Sequence, residues 1–295
     1  VFGLLLYMLF GQSRIADYMQ IQYEKIRRES LPYLQPDPEI YEKIEEQDPS
    51  AAVQSEYICR LSAFPAHTNT EAEYFQVGDD MFPVLVQELE QAEHYIYIEY
   101  FIINDGVMWR TILDILERKA AEGVDVRLIY DGFGCLTTLP HKYDRFLEEK
   151  GIKCRVFNPF RPMLNIIQNN RDHRKICVID GKTGFTGGIN LADEYINQRE
   201  RFGHWKDTGF MLKGDAVWNY TVMFLRMWNS MRHTDVSYDP YRPSVWHPEP
   251  FEGEGFVQPY GDSPLDDEIL AENVYLDILN QARDYVYIFK IGRAS

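Results

Sequence analysis

The chain has 295 residues, of which 30 are basic and 46 acidic, for a formal net charge of −16, and 45% are apolar. This balance fits a folded α/β or α+β body rather than a disordered one. So acidic a protein is a poor general nucleic-acid binder, because such binders neutralise phosphates with Lys and Arg. The four cysteines, Cys59, Cys135, Cys154 and Cys177, stand apart with no C-x-x-C spacing. That argues against a disulfide scaffold or a structural zinc site and suits a reducing compartment.

The first elements follow from hydropathy. Val1 to Gly11 reads VFGLLLYMLFG, without a charge. Eleven helical residues reach only about 16 Å, against a hydrocarbon core of about 30 Å. We read 1–11 as the C-terminal part of a transmembrane helix; a buried helix or a signal-peptide core is the plainer alternative. Arg14, Lys25, Arg27 and Arg28 follow, so the positive-inside tendency puts the rest of the chain on the cytoplasmic side of a cell membrane. Residues 12–56 read as a juxtamembrane helix and an acidic linker holding Pro32, Pro36, Pro38 and Pro49 around a short helix.

A folded unit is expected over 57–232. Helices are predicted at 81–92, 107–121, 141–150 and 216–231. Strands are predicted at 94–103, 124–130, 152–157, 175–180, 183–186 and 207–212. Such alternation specifies a layered α/β fold with a parallel or mixed sheet. Residues 233–263 carry five prolines and read as a linker. QAEHYIYI at Gln91–Ile98 returns as QARDYVYI at Gln281–Ile288, an offset of 190 residues. This predicts an internal repeat, with 264–295 as the start of a second copy.

The chemistry concentrates in RDHRKICVIDGKTGFTGGIN, from Arg171 to Asn190. His173 and Lys175 are two apart and share one face of a strand. Asp180 ends the strand before the Gly181 turn. Gly187 and Gly188 allow backbone N–H groups to approach an anion, and Asn190 follows. An imidazole can attack phosphorus covalently, while Lys175 and Asn190 offset charge on the non-bridging oxygens. A carboxylate must orient the imidazole, and Asp207 in HWKDTG is the candidate, with Asp180 as a brace. The pattern reads as a phosphate site without metal or cofactor.

His173, Lys175 and Asp180 match the H-x-K-x-x-x-x-D motif of the phospholipase D superfamily. The longer string of HRK, VIDGK, GGIN, ADEY at Ala192–Tyr195 and WKDTG resembles bacterial cardiolipin synthase, as do IEYFIINDG and GVDVRLIYDGFG. The resemblance implies a mixed sheet flanked by helices, with 57–232 as a first catalytic repeat and 264–295 as a truncated second. It implies a phosphatidyltransferase of phospholipid biosynthesis, with His173, Lys175 and Asp180 catalytic and Asn190, Asp207, Gly187 and Gly188 supporting. Two phosphatidylglycerols would give cardiolipin and glycerol through a phosphatidyl-histidine. The implied partners are phosphatidylglycerol and anionic membrane lipids, with no nucleic acid. No second H-x-K-x-x-x-x-D motif occurs in the chain; His204 and Lys206 have the H-x-K spacing, but Met211 stands where the Asp would be. This chain alone is therefore expected to be inactive unless two copies pair as a homodimer. The rival readings are a phospholipid-hydrolysing phosphodiesterase and a non-catalytic membrane-bound fragment.

Two further features bear on a lipid substrate. Residues 141–182 hold ten Lys or Arg against five Asp or Glu, which reads as a basic mouth for anionic headgroups. Met163, Leu164, Ile166 and Ile167 precede Arg171 and read either as core or as an acyl-chain contact. Glu99 and Asp105 read as structural carboxylates.

Overall fold

The computed structural model describes residues 14–159, 171–201, 203–247, 249–251, 253–262 and 269–288. Seven strands form one sheet in the order β1-β7-β6-β5-β2-β3-β4. They are β1 (Thr70–Phe75), β2 (Tyr95–Tyr100), β3 (Asp125–Asp131), β4 (Lys153–Phe157), β5 (Lys175–Ile179), β6 (Thr183–Gly187) and β7 (Gly209–Gly214). β2, β3 and β4 run parallel and the other pairs antiparallel, so the sheet is mixed. The α/β class and flanking helices expected from the sequence are present.

The helices, in chain order, are α1 (Arg14–Ser30), α2 (Pro38–Gln47), α3 (Pro49–Ser62), α4 (Gly78–Glu90), α5 (Val107–Ala121), α6 (Tyr143–Glu149), α7 (Val217–Met231), α8 (Pro243–Trp246) and α9 (Leu270–Gln281). Alternate residues of β2 explain why they lie on both faces. Ile96, Ile98 and Tyr100 join a core with Leu85 of α4 and Trp109 of α5. Tyr95 and Tyr97 point the other way, against Phe224 of α7. A strand buried on both faces reads as a continuous apolar run, as YIYIEY does. Asp193, in the ADEY string, caps α5 from a distance: its carboxylate accepts from Val107 N at 2.9 Å and Met108 N at 2.8 Å. A carboxylate there also complements the helix dipole.

Three expectations change. The first is the membrane location. Among the described residues no helix is long and apolar enough to cross a membrane, so a cell-membrane location with a cytoplasmic catalytic domain is not supported. Residues 1–11, which carried that reading, lie outside the described residues. α1 has 17 residues with a charged face, including Glu24, Lys25, Arg27 and Arg28, and its Tyr23 and Ile26 are buried.

The second is the stretch before residue 57. The read linker holds α2 and most of α3, and position 57 falls inside α3. Asp37 and Asp48 cap these helices, each with Pro at the first turn. The prolines therefore start helices rather than interrupt them.

The third is 233–288. The connector folds back onto the body: Val257 pairs with His67, and Asp235 pairs with Arg127 at 2.7 Å. α9 covers the helix-like stretch before the second QA-x-x-Y-x-Y-I copy, but residues 284–288 pair with no strand among the described residues and their side chains are exposed. Alternating Tyr and Ile give β-propensity, but a strand needs a neighbour to hydrogen-bond.

Candidate active site

β5 enters the sheet antiparallel to β2, so its first residue lies where the parallel strands end. Tyr100 is registered with Lys175. Clefts outside the carboxyl ends of parallel strands are the usual ligand sites of α/β folds. The exposed His173 stands there just before β5, stacked on Phe101 with ring centroids 3.9 Å apart. Its ring makes no hydrogen bond to a described residue. Lys175 is almost buried and donates from Nζ to the carbonyl of His173 at 2.6 Å, with Nζ 5.6 Å from the Phe101 ring centre.

Both groups have shifted protonation. Partial desolvation of the ring, then the Lys175 ammonium, lowers the His173 pKa below its ordinary 6.5, and Asp131 and Asp172 partly oppose this. Burial also lowers the pKa of Lys175, against Asp172 and Asp207. The site therefore favours a neutral imidazole beside a cation, the state needed for nucleophilic attack on an anionic phosphodiester.

Two loops hold this pair in place. Asp131, at the end of β3, is fully buried. Its Oδ1 accepts from Phe133 N and Gly134 N, each at 2.8 Å, and its Oδ2 from Asp172 N at 3.1 Å. Burial raises its pKa against these bonds. Asp131 thus ties the β3 loop to the residue preceding His173. The same loop grips the chain after β2: Ile103 N donates to Cys135 Sγ, and Thr138 Oγ1 to the Ile103 carbonyl at 2.6 Å. Gly134 fits there because a Cβ would stand 2.1 Å from the Phe101 carbonyl oxygen. Phe101, Asp131 and Gly134 were not singled out by sequence reasoning. The one available signal was their place in IEYFIINDG and YDGFG, where Asp before Gly-x-Gly at a strand end marks a side chain closing a turn.

On the opposite face Arg174 joins a buried triad, with Nη2 2.6 Å from Glu99 and Nε 3.1 Å from Asp172. Burial raises the Glu99 pKa well above the usual carboxylate value, and Arg174 opposes it. Glu99 is thus an internal partner of the segment around His173. Asp105 instead pairs with Arg110 at the surface.

The other sequence candidates divide. Asn190 is near the site: Oδ1 accepts from Ile102 N at 3.1 Å and Nδ2 donates to the Tyr195 hydroxyl at 2.7 Å. It therefore shapes the chain beside Phe101. Gly187 ends β6, registered with Gly209, and Gly188 follows it; Gly188 N donates to Thr208 O, and a Cβ on Gly188 would lie 2.0 Å from Asp207 Oδ1. Asp207 is half-buried, with its pKa raised by burial and lowered in part by Lys175. The carboxylates acting on His173 are Asp131 and Asp172, whereas Asp207 acts on Lys175. Asp180 is not brought to the site. It ends β5 on the far side of the sheet and accepts from the backbone N–H groups of Glu93, His94 and Tyr95 at 2.8–2.9 Å. Met163, Leu164, Ile166 and Ile167 lie outside the described residues.

Residues 85–228 match the family described as cardiolipin synthase, PLD-like domain. An uncharacterized protein of Streptococcus mutans is 50% identical over 257 residues, 87% of this chain and 55% of that protein. Cardiolipin synthase 1 of Bacillus anthracis is 32% identical over 297 residues, 98% of this chain and 58% of that enzyme. Cardiolipin synthase of Listeria innocua is 30% identical over 98% of this chain and 60% of its own length. The chain thus spans somewhat over half the length of the curated relatives it matches. It carries the phospholipase D-like domain of the cardiolipin synthase family.

Proposed function

We propose that His173 is the nucleophile of a phosphatidyl transfer that builds cardiolipin from two phosphatidylglycerols. The observation that carries this reading is the exposed imidazole, disposed to be neutral, with the Lys175 ammonium adjacent at the carboxyl ends of β2 and β3. In the first step the imidazole nitrogen attacks phosphorus, the P–O bond to one glycerol breaks, and that alkoxide takes up a proton. In the second, the glycerol hydroxyl of another phosphatidylglycerol loses its proton and attacks phosphorus, and the P–N bond breaks. One phosphodiester replaces another, so no energy source is consumed. Lys175 offsets the charge that builds on the non-bridging oxygens. Asp131 and Asn190 position the strand ends, and Gly188 gives Asp207 its space beside Lys175.

The chain has a single H-x-K-x-x-x-x-D motif. The departing alkoxide needs an acid, and His173 cannot supply that proton while bonded to phosphorus. The first half-reaction is therefore the one to measure. The test incubates the chain with phosphatidylglycerol vesicles and looks by mass spectrometry for a phosphatidyl adduct on His173, with thin-layer analysis of products. An adduct on His173, absent from His173→Ala, is expected. Cardiolipin among the products would identify transfer, and phosphatidic acid would identify hydrolysis instead. The same modification in His173→Ala would sink the assignment.

A further inference from the structure

α1, the end of α3, α7, residues 261–262 and Leu270 of α9 line a half-open cavity of about 880 Å3 on the α7 side of the sheet, the face opposite His173. Arg226 of α7 lines it. This side chain is 1% exposed. Its Nε donates to Ser30 Oγ at 2.6 Å and its Nη1 to the Ser62 carbonyl at 3.3 Å. The guanidinium also lies 4.5 Å from the Phe64 ring centre. Its Nη2 meets no acceptor, and no carboxylate among the described residues forms an ion pair with it. Burial without a counter-charge holds its pKa down to about 10.

An unmade bond on a buried cation is costly, since charged donors lose the most when desolvated without a partner. The surroundings add to the imbalance. The lining carries Lys25, Arg27, Arg28 and Arg60 beside Arg226, against Glu24, Glu29 and Asp262. The cavity wall is thus cationic in a chain whose overall charge is −16. Glu24 is already taken by Arg27 and Arg28, at 2.6 and 2.9 Å. A guanidinium with an unfilled N–H donor suits a phosphate oxyanion, whose oxygens accept charge-assisted hydrogen bonds.

We propose that this cavity is a second anion site, binding a phosphate group, free or on a lipid headgroup, through Arg226 with Arg60 at its rim. The site is separate from His173 and stands whatever reaction His173 performs.

The test measures the melting temperature of the full chain against inorganic phosphate, with sodium chloride at matched ionic strength as the control. Sedimentation with phosphatidylcholine vesicles, with and without phosphatidylglycerol, is the second arm. Phosphate is expected to stabilise the wild type and Lys175→Ala alike. Arg226→Met should abolish the effect. Arg60→Gln, at an exposed position whose change should leave the fold intact, should weaken affinity by about tenfold, the worth of one charge-assisted hydrogen bond. Binding of phosphatidylglycerol vesicles that is lost in Arg60→Gln would identify a headgroup as the source. An effect of inorganic phosphate alone would identify a free phosphate. Stabilisation that disappears in Lys175→Ala yet persists in Arg60→Gln overturns the proposal, as does a wild type that responds to neither probe.

Discussion

At the scale of single residues, the site rests on one imbalance: the surroundings of His173 push its pKa down. Partial desolvation and the Lys175 cation both lower its pKa, while Asp131 and Asp172 raise it. Lys175→Gln removes an unfavourable cation, so the His173 pKa should move up. Asp131→Asn removes a favourable carboxylate, so it should move down. Histidine-selective NMR titration reads both shifts without needing turnover; a shift in the opposite direction for either variant refutes the electrostatic account. Because the folded pKa is depressed, the contribution of His173 to stability is present above its ordinary value of 6.5 and is lost as the pH falls through the folded value. Any reaction using the neutral imidazole should keep its rate to more acidic pH than an unperturbed histidine allows. Asp180 is a different case. It receives three backbone N–H groups while almost wholly buried. Asp180→Ala should cost about 3 kcal/mol or more in urea denaturation, because several buried donors lose a charged acceptor at once. His173→Ala, at an exposed position, should cost less than about 1 kcal/mol. A stable but inactive Asp180→Ala protein would instead place Asp180 in the chemistry.

At the scale of elements, the end of β6 explains why two glycines stand together. A Cβ on Gly187 would lie 2.3 Å from the Thr208 carbonyl oxygen, and its φ is +152°. Gly187→Ala should destabilise by about 1–3 kcal/mol through backbone strain. Gly188→Ala meets a side chain, the Asp207 carboxylate, which can move. It should leave most stability in place but lower turnover by shifting Asp207 away from Lys175, and near-normal activity would show that Asp207 is dispensable. The sequence pattern made the Gly-Gly pair visible as a close approach but left open what approaches. His173 and Lys175 were legible because two-residue spacing on a strand is a local property. The partners of Asp180 were not, because Glu93 to Tyr95 lie some 85 positions upstream and meet it only through the pairing of β5 with β2. The influence of Asp131 on His173 was not legible for the same reason: Asp131 ends β3 and holds the residue before His173 through the Asp172 N–H. β1 was missed because it is an edge strand whose four central residues are all exposed, giving no alternation to read.

At the scale of the whole molecule, the sequence divides at residue 57 whereas the structure does not. The Ser30 hydroxyl meets Arg226 of α7, and the Tyr33 carbonyl accepts from the Trp218 indole at 2.7 Å. The ring of Tyr33 stacks on Tyr238 at 5.0 Å. These contacts cover a helix that is buried at every position from Val217 to Asn229, a pattern that requires cover on all sides. The sequence reads this segment as linker because its acids and prolines mark helix starts, and composition alone does not separate a capped helix from a loop. Tyr23, Ile26 and Leu34 are each nearly fully buried, and burying one such side chain is worth about 1.5–3 kcal/mol. Their combined loss would match a large part of the roughly 5–15 kcal/mol that stabilises a domain. A chain beginning at residue 57 should therefore lose its cooperative urea transition and become sensitive to limited proteolysis within α7. The same chain beginning at residue 14 should keep both the transition and its resistance. Equal midpoints for the two would show that α1 and α2 rest on a domain that is stable without them, and would restore the boundary at residue 57.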